Sequence, residues 1–69
     1  MRNILIDTVE YNEVKDILIQ DGKLSQGILR ICSQDAANTV KKITFQKERD
    51  AQAFVSLCLD LGLLKVRFE

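Results

Sequence analysis

A chain of 69 residues that is 46% apolar and 29% charged is one small folded domain and not a disordered segment. Ten Lys and Arg balance ten Asp and Glu, so the overall charge gives no support to a generic polyanion partner such as nucleic acid or an acidic membrane. Histidine is missing altogether, which removes the commonest general base and the commonest metal ligand together, and no apolar run approaches the roughly 20 residues of a membrane span.

Arg2 to Asp7 places three apolar, partly β-branched residues before a polar break and predicts a short buried strand. Asp7-Thr8-Val9-Glu10 then has capping-box spacing with Asp in the capping position, and Tyr11, Val14, Ile17 and Leu18 recur at helical intervals up to Asp21-Gly22. A second reading of the same stretch stays open. Asp21-Gly22 between apolar runs is also a two-residue hairpin signal, and Val9, Val14, Ile17 and Ile19 are poor helix formers. In that case the protein is a β-meander closed by one C-terminal helix, resembling a reduced pleckstrin-homology-like module.

Gly27 to Ser33 reads as a strand, Ser33 to Asn38 as a hairpin-length loop, and Thr39 to Phe45, β-branched and aromatic with interleaved charge, as a further strand. From Lys47 to Leu61 the spacing of Ala51, Phe54, Val55, Cys58 and Leu61 defines one helical face, with Glu48 and Asp50 in the first turn. Gly62 supplies the left-handed residue that ends such a helix. Leu63 to Glu69 alternates with period two, as a half-buried strand does.

Strand, helix, strand, strand, helix, strand is the order expected of a ferredoxin-like βαββαβ plait, α+β, with a four-stranded antiparallel sheet and two helices on one face. Alternation then directs Leu29, Ile31, Ile43, Phe45, Val66 and Phe68 to the helices, with Ile4 and Ile6. The uncovered face receives Ile28, Arg30, Cys32, Val40, Lys42, Thr44, Lys65 and Arg67, with Leu5 beside them. Acidic residues collect on the helix exteriors, at Glu10, Glu13, Asp16, Glu48, Asp50 and Asp60. Zero net charge thus conceals a dipolar distribution.

Chemistry-bearing motifs are few. No Cys-x-x-Cys pair, Gly-rich phosphate loop or zinc-protease helix occurs, so neither metal nor cofactor is expected. Small metal carriers of this plait need a thiol pair near the first loop, where Asp7-Thr8 stands. The carboxylate pairs Asp7 with Glu10 and Glu13 with Asp16 read as capping and solvated groups and not as an acid and base. Cys58 falls on an apolar helical face as an inert small hydrophobe, whereas Cys32 is the thiol expected nearer the surface. Two reduced cysteines without a secretory h-region point to a cytoplasmic compartment. Tyr11 has core spacing, and Asp35 to Asn38 reads as a turn or a contact tip.

The second half resembles part of an RNA-recognition motif, through Val40-Lys41-Lys42-Ile43-Thr44-Phe45 and the helix that follows. That family stacks bases on aromatics of a Gly-containing third strand, but the glycines are missing here and Phe45 is expected to face inward. Phosphate contacts by Arg30, Lys42, Lys65 and Arg67 are all that the resemblance still implies. Apolar residues mixed with arginine are interface composition, so Ile28, Arg30, Cys32, Lys42, Thr44, Lys65 and Arg67 are the expected contact set for a partner protein or a second copy. The expected function is a small non-catalytic interaction module, a regulator or inhibitor. Its alternatives are nucleic-acid binding on the same face and a small-ligand regulatory role.

Overall fold

Strand β1 (Arg2–Asp7) lies inside the sheet of this computed structural model, which describes residues 1–20 and 22–69, with all their side chains except those of Lys23 and Leu24. The chain continues as α1 (Thr8–Gln20), α2 (Gly22–Gln26), β2 (Ile28–Ser33), β3 (Val40–Phe45), α3 (Glu48–Asp60) and β4 (Val66–Phe68). The expected α+β class and four-stranded antiparallel sheet are found, in the order β2-β3-β1-β4 with each neighbouring pair antiparallel. Each helical crossover therefore skips one strand. The chain leaves β1, passes through α1 and α2, and lands in β2 with β3 between. It then leaves β3 through α3 and lands in β4 with β1 between.

The hairpin reading of residues 17–24 does not survive, because Ile17 to Gln20 complete α1 and Gly22 to Gln26 form α2. The pleckstrin-homology-like alternative goes with it. Asp21, half of the Asp21-Gly22 stop signal, lies outside the described residues. Gly22 opens α2, so the short second helix is a departure from the expected single one. Gly62 does take the left-handed conformation, at φ 80°.

Both long helices pack on the sheet face that carries Ile4, Ile6, Ile43 and Phe45. Val14 and Leu18 of α1 and Ala51, Phe54 and Cys58 of α3 complete the core, closed at one end by Leu63. Helical periodicity and strand alternation bury the same residues, which is the consistency a small core needs. The Phe45 and Phe54 rings pack tilted by 41° with centroids 5.6 Å apart. At the sheet margin the Arg2 guanidinium lies 4.4 Å over the Phe68 ring and 4.0 Å from Glu48. Leu61, expected on the buried side of α3, instead ends that helix and is 47% exposed.

The Asp7 carboxylate caps α1 as expected, accepting the Val9 amide at 3.0 Å. Its capping-box partner does something else. The Asp7 amide donates to the Lys65 carbonyl at 3.0 Å, so Glu10 is left to accept the Lys65 amide at 2.8 Å. One helix start is thereby tied to the entrance of β4. Among the described residues no helix is long and apolar enough to cross a membrane.

Candidate protein-interaction face

Residues directly opposite in antiparallel strands share a face, so the register assigns the uncovered side residue by residue. β1 contributes Asn3, Leu5 and Asp7, paired with Thr44, Lys42 and Val40 of β3. On the other flank Arg67 of β4 pairs with Leu5, and on the far side Arg30 and Cys32 of β2 pair with Thr44 and Lys42. Lys65 precedes β4 and bonds through its backbone to Asp7. Arg30, Cys32, Lys42, Thr44 and Arg67 of the expected set therefore do come together, with Lys65 at the rim.

Ile28 does not belong with them. A bulge between Ile28 and Arg30 inserts one residue, so Ile28 stands opposite Phe45 and packs against the helix-side core. Leu29, expected in that core, is the displaced residue and is 51% exposed. Alternation counted through a bulge flips every residue before it. Ile31, beyond the bulge, keeps its helix-side place opposite Ile43.

The face is also less basic than its lysines and arginines imply. Asn3 donates to Glu69 Oε1 at 2.9 Å and accepts the Thr44 hydroxyl at 2.9 Å, while Lys42 Nζ lies 3.2 Å from the same Glu69 oxygen. The Glu69 carboxyl is held below its ordinary value, first by the Asn3 hydrogen bond and then by Lys42. Neither Asn3 nor Glu69 was in the expected set. Each lies two residues from a member of the face, Leu5 and Arg67, so the alternation itself carried the signal. Leu5 sits at the centre, outside the helix-side core yet only 8% exposed.

The loop that joins β2 to β3 is satisfied by its own side chains and by Thr8 of α1. Asp35 accepts the Thr39 amide at 2.9 Å and the Thr39 hydroxyl, which together hold its carboxyl low. Asn38, left-handed at φ 57°, accepts the Ser33 hydroxyl at 2.6 Å through its side chain. Its carbonyl accepts the Thr8 hydroxyl at 2.7 Å. This is turn construction, and it leaves Asp35 fully engaged.

Beside β2, on the helix side, a groove of about 170 Å³ is lined by Tyr11, Lys15, Leu18, Ile19, Ile28 and Ile31 together with Ser25. Ile19 is 76% exposed there. Tyr11 is half-buried against the core as its spacing implies, and its remaining surface contributes to the groove. Both thiols are free, Cys32 on the uncovered face and Cys58 among the helix-side residues, so the sheet stands between them and they cannot pair within one chain. Comparisons of the chain with protein-family models, curated proteins and solved structures find no match.

Proposed function

We propose that this chain is a non-catalytic protein-interaction module on a ferredoxin-like plait, a small regulator or inhibitor that works by occupying a partner's surface. The strand order and the two interleaved crossovers support the plait, since a split βαβ arrangement places its neighbours in this way. The observation that carries the function is the bare sheet face. Helices cover one side only, and the other presents Arg30, Cys32, Thr44 and Arg67 around the Leu5 and Lys42 centre. Arginine beside small apolar area is the composition that desolvates well against protein. The acidic Glu69 and Asp7 on the same face argue against a nucleic-acid backbone as the ligand.

The test is retention of a partner by the immobilised chain, comparing the native sequence with Arg67→Glu and Arg30→Glu. Both arginines are exposed, so the fold should survive either change and the dichroism spectrum should match the native one. Loss of the same retained protein with both variants supports the reading. A partner held equally well by all three forms, or RNA held with steep salt dependence in place of protein, would overturn it.

A further inference from the structure

We propose that β2 pairs edge to edge with β2 of a second copy of this chain, antiparallel about a two-fold axis at Ile31, so that the two four-stranded sheets become continuous. The inference rests on the protein-interaction reading above and adds a second contact, with a copy of the chain itself, at the β2 edge of the same sheet.

The two edges of the sheet are treated differently. β4 is three residues long, carries Arg67 and is followed by Glu69, and short charged edges resist pairing. β2 is six residues long, the chain has no proline to interrupt it, and its one charge is Arg30. Leu29 and Ile31 leave 51% and 39% of their surface exposed along it. The bulge before Arg30 confines regular pairing to the Arg30 to Ser33 end.

Backbone phase selects which residues can bond outward. The Gln34 amide donates to the Val40 carbonyl at 2.8 Å, so by the alternation of an antiparallel ladder Cys32 and Arg30 also turn their amides toward β3. Ile31 and Ser33 then turn theirs to the open edge. A two-fold axis at Ile31 lets the two copies of Ile31 exchange both backbone hydrogen bonds, with Arg30 opposite Cys32 on either side. Moving the axis to Arg30 sets two arginines directly opposite each other, which is destabilising. Moving it to Cys32 sets Ile31 against Ser33 and loses the apolar contact. The Ile31 register avoids both costs.

What lies beside the edge completes the fit. In this register the second copy's Ile31 arrives on the helix side, next to the groove between α1 and β2 where Ile19 and Ile31 are exposed. Burying that groove adds apolar core to a domain whose own core is small. Zero net charge opposes the approach of two copies with no long-range repulsion. The contact is isologous, so it closes at two copies.

Light scattering of the full chain over a wide range of concentration should show a monomer giving way to a dimer, and Ile31→Lys should stay monomeric with an unchanged dichroism spectrum. Cross-linking fixes the register without relying on that variant. Opposite residues at a pair without mutual hydrogen bonds are close enough to bridge, so Arg30→Cys with the native Cys32 should form a covalent dimer on mild oxidation. The native chain with Cys32 alone, and Arg30→Cys combined with Cys32→Ser, should not. Cross-linking by either single cysteine overturns the Ile31 register. A chain that stays monomeric at every concentration overturns the dimer itself, yet leaves the interaction reading standing if a retained partner still depends on Arg67. A dimer that persists in Ile31→Lys places the contact elsewhere and overturns the proposal equally.

Discussion

Lys42 and Glu69 meet at 3.2 Å on the uncovered face, joining β3 to the residue that follows β4 across the intervening β1. Asn3 of β1 stands in the same network, donating to Glu69 and accepting from Thr44. Three strands are thus linked by side chains as well as by their ladders. A carboxyl held below its ordinary 4.5 stabilises the folded state above that value, and the contribution fades as pH falls through the lower folded value. An NMR titration of the side-chain carboxyl should place the Glu69 midpoint below 4.5, and Asn3→Ala or Lys42→Gln should move it upward. Both groups are solvent-accessible, so the midpoint is the sensitive readout and the melting temperature is not.

Phe54 is fully buried against Phe45, and a core of this size has little to spare. Phe54→Ala should cost about 3–5 kcal/mol, comparable with the roughly 3–5 kcal/mol that one such small core supplies. The variant should therefore be largely unfolded in dichroism at room temperature. Phe54→Leu keeps most of the volume and should fold, melting lower by roughly 4–8 °C for each kcal/mol lost. Leu61→Ala makes the contrast. Helical spacing alone puts Leu61 on the same stripe, but it is half exposed at the helix end, so its loss should be much milder. Equal melting shifts for Phe54→Ala and Leu61→Ala would contradict this core.

The alternation of Ile43 and Phe45 with Val40, Lys42 and Thr44 was legible because β3 is central and regular, bonded on both sides. The Phe54 helix was legible because its apolar spacing and its stop at Gly62 agree. The bulge was not. In Ile28-Leu29-Arg30-Ile31 three of four residues are apolar, so an inserted residue leaves no gap in the pattern. Strand order was out of reach too, since local patterning says that a segment is a strand and not which strand it meets. That is why the exposed β2 edge and its groove emerge only from the fold. Asn3 and Glu69 stand within the alternation, but only the register brings Asn3 and Lys42 to one Glu69 oxygen.

Gly27 links α2 to β2 and is buried against the first turn of α3, where an added Cβ would come within 2.6 Å of Asp50 Oδ2 and 3.1 Å of Asp50 Cβ. The Gln46 amide also donates to the Gly27 carbonyl at 2.9 Å, so this backbone cannot easily back away. Gly27→Ala should then destabilise by about 1–3 kcal/mol through overpacking. Asp50→Ala alone removes a favourable first-turn charge, worth roughly 0.3–1 kcal/mol. Together the two changes should cost less than their sum, because the second makes room for the first. Additive losses in chemical denaturation would mean that the close approach to Asp50 is not what requires glycine here.

Cys58 is buried on α3 and its thiol is pushed up to about 11, first by burial and then by the charge of Glu10. A thiol raised in the folded state adds stability that is fully present below the ordinary 9.0 and is lost as pH climbs through about 11, because the unfolded chain ionises first. Comparing native chain with Cys58→Ala, the fall in melting temperature across that window should be shallower in the variant. The same burial predicts ordered alkylation at neutral pH. Cys32, half-buried on the uncovered face, should react with iodoacetamide in the native state, while Cys58 should wait for unfolding and react at a rate set by denaturant. If mass spectrometry of the native protein found both cysteines modified together, Cys58 could not occupy the dry helix-side position that links α3 to Ile4, Ile6 and Val14.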